Sequence, residues 1–421
     1  MRTVVESDGT TPVHVVELLR DREFTRVAEL FGAPLRAAVS PDSLRAAWLT
    51  EISRVGAITA IGEPGLEPFG DKLIRASVPV VCERGGFTLI MSIDAAGLLQ
   101  GLRLADEATD WTPPDYADLD AFAEQEITVG SGELAVPGTL SVPPGPGPWP
   151  AVVLLHGGGP FDRDETSGPN KPFKDLAWGL AGRGVAVLRF DKVTYAHPQV
   201  AERPDFTMAD EYVPHAVSAV DLLRQHPGID PARIFVLGHS MGGKVAPRVA
   251  AAAPEVAGLV IMAGDTQPMQ HAAVRVIRYL AELDPGPQAD AAVAAITRQA
   301  AAVDSPALSP STPRADLPFA YSGAYWLDLL AYQPVPTAAA LTVPLLILQG
   351  ARDYQVTVAD DLTGWQSGLA DRPDVTFRVY DQCDHLFFAG AAPATPRDYQ
   401  TPQHVDRTVV TDIADWLTQQ H

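Results

Sequence analysis

A serine hydroxyl is a weak nucleophile until a base takes its proton, and the base works best when a carboxylate fixes its tautomer and stabilises its cation. Residues of these three types stand at telling places in the chain. The stretch Gly238-His239-Ser240-Met241-Gly242 follows a short apolar run, 234–237, and precedes an Ala-rich segment, 244–253. The run reads as a buried strand and the segment as a helix, so Ser240 occupies the turn between them. Such an elbow crowds two backbones together, which suits glycine at 238 and 242, and it lifts the hydroxyl above the sheet edge. Downstream, Gly350-Ala351-Arg352-Asp353 follows the strand-like run 344–349, and Asp381-Gln382-Cys383-Asp384-His385 follows the run 375–380. Both lie on loops at the carboxyl ends of strands. Serine, aspartate, histidine is one of the chain orders in which this triad is built. Ser240 is expected as nucleophile, His385 as general base and Asp353 as the acid that orients it.

Acyl transfer also needs donors for the negative oxygen formed on the attacked carbonyl. The N–H of Met241, at the start of the helix after the elbow, is one, helped by the helix dipole. The second is expected from His156-Gly157-Gly158-Gly159, after the apolar run 151–155. There the N–H of Gly158 is favoured, with that of Gly159 as its rival. His156 is expected to hold the loop by hydrogen bonding.

Other residues compete for these roles. Asp265, in Ala263-Gly264-Asp265-Thr266, is the rival acid and is expected to cap or hold the segment after it. Asp384 is expected to shape its loop, because chain neighbours such as Asp384 and His385 seldom face each other. His215, His226, His404 and His421 follow no strand-like run and are expected at the surface. A thiol nucleophile at Cys383 would leave Ser240 without a task. The charged run Asp162-Arg163-Asp164-Glu165 is expected to be solvated or locally paired, with no catalytic role. Tyr321, Tyr325 and Trp326, at near-helical spacing, are candidate substrate contacts from a lid.

These side chains need a scaffold to bring them together. From residue 125 onward, strand-like runs of continuous apolar content alternate with helical segments. That pattern argues for an α/β fold, a parallel sheet covered on both faces, which binds ligands outside the carboxyl ends of its strands. A helical insert at 267–340 interrupts the alternation. The first part reads differently. Helical spacing over 13–31 and 41–57 gives way to strand-like runs at 72–83, 87–94 and 98–104. The expected organisation is a small α+β domain over 1–110, a polar, proline-bearing linker over 111–124 and the α/β domain over 125–421.

The chain has 421 residues, 46% apolar and 20% charged, which fits two globular domains with real cores. A net charge of −21 without any lysine and arginine cluster argues against nucleic acid and against polybasic membrane recruitment. No window of about 18 apolar residues could span a bilayer, and residues 1–9 lack the apolar core of a signal peptide, so a cytoplasmic protein is expected. Cys82 and Cys383 lie far apart, so no disulfide is expected. Nothing has the spacing of a zinc site, and neither metal nor cofactor is expected.

On Gly-His-Ser-Met-Gly-Gly, His-Gly-Gly-Gly-Pro, Gly-Ala-Arg-Asp and Asp384-His385, residues 122–421 resemble the α/β-hydrolase superfamily. Within it, the stretch 159–192 looks like a bacterial esterase group akin to the dienelactone hydrolases and serine aminopeptidases. The resemblance implies an eight-stranded, mostly parallel sheet with a helical cap inserted after the sixth strand. It carries Ser240, His385, Asp353, Met241 and Gly158 to the roles given above. The first part of the chain is similar to a small cone-shaped domain of nuclear-transport-factor-like type that often precedes these hydrolases. There are two departures. Lys192-Val193-Thr194 stands where the group has a second basic residue after the lysine, which would alter the pocket rim, and the approach to His385 is more polar than usual, which could give it another acid partner.

The expected activity is hydrolysis of a small-molecule carboxylic ester through an acyl-enzyme. An acyltransferase, cyclase or thioesterase would use the same triad, and a binding protein on a hydrolase scaffold is the non-enzymatic alternative. The N-terminal unit carries no catalytic constellation. It is expected to pair two subunits or to form one wall of the cleft.

Overall fold

The apolar runs of the second half of the chain become the strands of one sheet in the computed structural model, which describes residues 12–69, 73–106 and 111–420. The chain divides into two units, Met1–Asp110 and Trp111–His421.

In the first unit, helices Pro12–Arg20, Phe24–Glu29, Ala33–Ala38 and Pro41–Val55 precede strands β1 (Ile58–Ile61), β2 (Gly65–Phe69), β3 (Leu73–Cys82), β4 (Gly85–Asp94) and β5 (Leu99–Asp106). The sheet is antiparallel, in the order β1-β3-β4-β5 with β2 also paired to β3. Alternation along β3 buries Ala76, Val78, Val80 and Cys82 against the helices, and Trp48 meets Phe87 edge-on at 5.4 Å. The helical spacing read over 13–31 is broken into two helices where Arg22 takes a φ of 61°. The last helix begins where the Ser40 hydroxyl accepts the N–H of Ser43 at 3.1 Å.

The second unit is built on β6 (Ala123–Val129), β7 (Val136–Val142), β8 (Trp149–Leu155), β9 (Ala186–Phe190), β10 (Ile229–His239), β11 (Gly258–Met262), β12 (Leu345–Gly350) and β13 (Val375–Tyr380). Their order is β13-β12-β11-β10-β8-β9-β7-β6, parallel from β13 to β9 and antiparallel at the β7 and β6 edge. This is the α/β-hydrolase fold. Neighbouring residues on a strand bury opposite faces. Val153, Leu155, Ile234 and Val236 pack on helices Met208–Gln225 and Met241–Ala252, whereas Val152, Leu154, Phe235 and Leu237 pack on Pro172–Ala181 and Arg407–Gln419. Both faces are therefore dry, and that is why the strands read as continuous apolar runs.

After β8 the chain crosses to β9 on one side, then returns to β10 on the other, so β8 and β10 are neighbours whose carboxyl ends diverge into separate loops. Such a switch point opens a crevice in a doubly wound sheet. Between β11 and β12 come helices Met269–Leu283, Pro287–Val303, Gly323–Ala331 and Pro334–Ala339, the cap that follows the sixth strand of this sheet. The stretch read as a linker is tied down at several points. The Trp111 indole N–H bonds to Asp175 at 3.0 Å, its ring meets Trp178 at 4.9 Å, and the Tyr116 hydroxyl donates to the carbonyl of Val405 at 2.8 Å. Among the described residues no helix is long and apolar enough to cross a membrane.

Candidate active site

The turn after β10 holds Ser240 at φ 52° and ψ −119°, a left-handed backbone that a non-glycine residue adopts at a cost of about 1–3 kcal/mol. Close packing makes it tolerable. A Cβ on Gly238 would run into the backbone of Gly242 and Gly243, and one on Gly242 would run into the carbonyls of Leu155 and His156. The Ser240 N–H is fastened to the carbonyl of Met262 at 2.9 Å, and the helix Met241–Ala252 starts at the next residue.

The loops after β12 and β13 bring Asp353 and His385 together. His385 Nδ1 bonds to Asp353 Oδ2 at 2.7 Å. Asp353 is in turn held by the N–H groups of Gln355 and Val356 on Oδ1, at 2.7 and 3.0 Å, and by the Gln349 amide on Oδ2 at 3.2 Å. The carboxylate is therefore fixed from three directions. Its contact gives His385 a proton on Nδ1 and leaves Nε2 as the nitrogen able to act as a base. Ser240 and His385 line one cavity of about 450 Å³. The Ser240 hydroxyl forms no hydrogen bond among the described residues, so the final link from Oγ to Nε2 is left to close with substrate bound.

The rival acids are occupied elsewhere. Asp265 lines the cavity but is paired with Lys244 at 2.6 Å, and Lys244 also donates to the carbonyl of Gln267, so this pair holds the start of the cap. Asp384 accepts the N–H groups of Leu386 and Phe388, each at 3.0 Å, as a loop former would. Burial pushes its carboxyl up to about 6. Cys383 is buried, and its thiol is pushed up to about 12 by that burial, which leaves it protonated and inert.

The glycine loop is held from two sides. Glu165 Oε1 takes the N–H of Gly157 at 2.6 Å. The carbonyl of Gly157 accepts from Lys192 Nζ at 2.9 Å and from the Tyr212 hydroxyl at 2.9 Å, and Lys192 also bonds to the carbonyl of Gly159 at 3.0 Å. In a planar trans peptide the N–H points opposite to the carbonyl before it. Clamping the carbonyl of Gly157 therefore turns the N–H of Gly158 the other way. Gly158 and Met241 line the cavity with Ser240, whereas Gly159 does not, and neither N–H has an acceptor among the described residues.

Several expectations are corrected. The side chain of His156 makes no hydrogen bond among the described residues; it packs at 4.9 Å from Phe173 and 6.1 Å from Phe190, and burial pushes its imidazole down. Of the two outcomes expected for the run 162–165, local pairing holds, as Thr166 donates to Asp162 at 2.7 Å and Lys171 to Asp164 at 2.9 Å, but the run is not solvated. Asp164 is buried against Arg189 and Lys171, and Glu165, at φ 53°, turns inward to the cavity wall. His215 is buried with Nε2 on the carbonyl of Leu134 at 2.7 Å, and His404 pairs with Asp175 at 3.1 Å. His421 lies outside the described residues. Of the three cap aromatics, Tyr321 lines the cavity. Tyr325 and Trp326 are buried behind it, the Tyr325 hydroxyl on Glu211 at 2.5 Å. Sequence reasoning gave Glu165 no part in the site, met Lys192 only within the family stretch near the pocket rim, and passed over His239. A histidine inside the elbow motif, next to the serine, was the available signal.

Among the described residues no group of histidine, cysteine, aspartate and glutamate could hold a metal ion. The helix Met269–Leu283 covers the cavity with Met269, Ala272, Ala273, Val276 and Ile277. No lysine or arginine is among its lining residues.

A family model described as serine aminopeptidase, S33, matches residues 148–390. Esterase EstD of Thermotoga maritima is 31% identical over 408 residues, 96% of this chain and 93% of that protein. The 2,6-dihydropseudooxynicotine hydrolase of Paenarthrobacter nicotinovorans is 32% identical over 143 residues, 34% of this chain and 35% of that one. An esterase structure from Pyrococcus furiosus superposes with a TM-score of 0.45 at 17% identity, over 75% of this chain and 99% of that one. The chain belongs to the serine aminopeptidase S33 family of α/β-hydrolases.

Proposed function

We propose that this hydrolase cleaves neutral, apolar carboxylic esters through an acyl-enzyme on Ser240, with His385 as general base and Asp353 as the acid that orients it. The observation that carries this reading is the 2.7 Å bond from His385 to Asp353 beside a cavity that Ser240 and His385 both line. Ser240 Oγ attacks the ester carbonyl while His385 Nε2 takes its proton. The oxygen that becomes negative is met by the N–H groups of Met241 and Gly158. His385 then protonates the departing alcohol, and a water activated by the same imidazole releases the acid and restores the serine.

The lining supports the substrate class. With no lysine or arginine on the wall, a substrate carboxylate finds no counter-charge. The two acids there, Asp265 and Glu165, are already paired with Lys244 and His239. A free ammonium group is therefore equally unmatched. The name of the Thermotoga maritima relative, an esterase, accords with this reading.

The test is labelling by an active-site phosphonate together with turnover of nitrophenyl esters. Labelling of the native chain that disappears in Ser240→Ala supports the mechanism; labelling that survives the substitution overturns it. We also read residues 1–110 as a nuclear-transport-factor-like domain that pairs two subunits, residues 125–421 as the catalytic domain with its cap at 267–340, and the protein as cytoplasmic. Sedimentation equilibrium of the full chain checks the pairing, which a purely monomeric mass would refute.

A further inference from the structure

His239 precedes the nucleophile, and its ring is held by two acceptors. Nδ1 lies 3.1 Å from Glu165 Oε1, and Nε2 lies 2.8 Å from the carbonyl oxygen of His385. A carbonyl oxygen only accepts, and so does an ionised carboxylate; a neutral imidazole has one N–H and one lone pair. A neutral ring beside ionised Glu165 would therefore set a lone pair against an acceptor on one side. Glu165 Oε1 also takes the N–H of Gly157 at 2.6 Å, which favours the ionised carboxylate.

We infer that His239 is a doubly protonated positioning residue, one imidazolium that fastens three parts of the proposed esterase site at fixed spacing: the glycine loop through Glu165, the nucleophile turn through its own backbone, and the base through the backbone of His385.

The arrangement needs burial as well as contacts, and both partners are buried, Glu165 at 1% and His239 at 5% exposure. Burial would push the His239 imidazole down, but Glu165 overrides this by charge and hydrogen bond and holds it above the ordinary histidine range. The His385 carbonyl and the Asp353 charge act in the same direction. Burial likewise pushes Glu165 up, while His239, His156 and the Gly157 N–H bring it below the usual carboxylate range. Lys192, Asp162 and Asp191 also act on His156, and Glu165 acts on Lys192. The rings of His239 and His385 are 4.8 Å apart.

A histidine raised on folding keeps its proton below its folded pKa and loses it as pH rises through that value. The pin therefore fails on the alkaline side, and kcat carries an alkaline limb that belongs to His239. In His239→Gln, kcat falls at least tenfold and that limb disappears, because nothing titrates there. In Glu165→Gln, the imidazole loses its counter-charge while its burial remains, so the limb moves to lower pH.

The experiment is the kcat–pH profile of the native chain and both variants, with neutron diffraction of the native protein at neutral pH. Deuterons on both ring nitrogens of His239 and the two altered limbs support the inference. A ring with one deuteron, or variants that keep the native alkaline limb under a uniformly lower rate, overturn it. The diffraction result stands even if a variant does not fold. It also separates the inference from the esterase reading, which fails instead if Ser240→Ala still turns over ester.

Discussion

On the sheet side of the cavity, Ser240, His385, Asp353 and Gly158 come from four strand-end loops, and their positions are set by polar contacts: Asp353 on His385, Lys192 and Tyr212 on Gly157, Met262 on the Ser240 N–H. On the helical side, Met269, Ala272, Ala273, Val276 and Ile277 recur at the three- and four-residue spacing of a helix stripe and present only carbon and sulfur side chains. The polar residues of that helix point elsewhere. Gln270 reaches Asp304 at 2.8 Å, Arg275 the carbonyl of Gln355 at 3.0 Å, and the Tyr279 hydroxyl the carbonyl of Ala394 at 2.8 Å. The difference divides the labour. Hydrogen bonds fix direction and distance, which bond making requires, whereas an apolar wall offers only volume and shape. Changes on the sheet side should therefore be read in kcat, and changes on the roof in KM and in the size of acyl group preferred.

The largest effect tests the sheet side alone. Ser240→Ala should lower kcat by about a million-fold on any ester while leaving binding of a non-hydrolysable analogue within a factor of about two, measured by calorimetry. Comparable loss of both would mean that Ser240 shapes the pocket and does not attack. Next is Asp353→Asn. The asparagine oxygen can keep the N–H groups of Gln355 and Val356, but its NH2 would face His385 Nδ1 and reverse the tautomer. A fall in kcat of about 10⁴-fold with an unchanged circular dichroism spectrum is expected. A fully active variant would return the acid's role to Asp265 or Asp384.

Third is the clamp on the glycine loop. Lys192 is buried, and its ammonium lies 3.2 Å from Glu211, so Lys192→Met alone would strand a buried carboxylate and cost about 3–5 kcal/mol of stability. The double variant Lys192→Met, Glu211→Gln avoids this. It should melt near the native temperature, yet lose about 10²–10³-fold in kcat as the Gly158 N–H is no longer aimed. A folded double variant with native kcat would show that the clamp serves only the fold.

How much of this division could be read beforehand follows the same physics. The members of the proposed triad could be picked out because each sits at the carboxyl end of an apolar strand, and a run such as 344–349 followed by Gly-x-x-Asp places a loop without any knowledge of tertiary contacts. Helix and strand succession likewise exposed the parallel sheet and the position of the cap. Glu165 was illegible, since its run of charges looks solvated until the chain turns inward at φ 53° and buries it beside His239. Tyr325 and Trp326 failed for another reason. Helical spacing says that residues share a face, but core and cavity both ask for apolar faces, so sequence cannot tell which one a ring fills. In the first unit, β1 and β2 are short, partly exposed and separated by Gly62-Glu63-Pro64, and so lack the alternation that marked β3 to β5.

The smallest effect should come from the roof, and it is the sharpest test of the contrast. Ala273 stands in the middle of the apolar stripe and lines the cavity of about 450 Å³. Ala273→Phe adds a ring there without touching a polar contact of the sheet side. It should leave the elbow and the His385–Asp353 bond as they are, shorten the space open to the acyl chain, and shift preference toward short esters. Across nitrophenyl esters of rising chain length, kcat/KM for the longest should fall about tenfold relative to the acetate, the scale set by one or two methylenes in an apolar pocket, with KM carrying most of the change. If the variant lowered all members of the series by one factor, the acyl chain would lie away from Ala273, against another part of the cavity lining. The stripe at 269–277 would then shield the site without selecting what enters it.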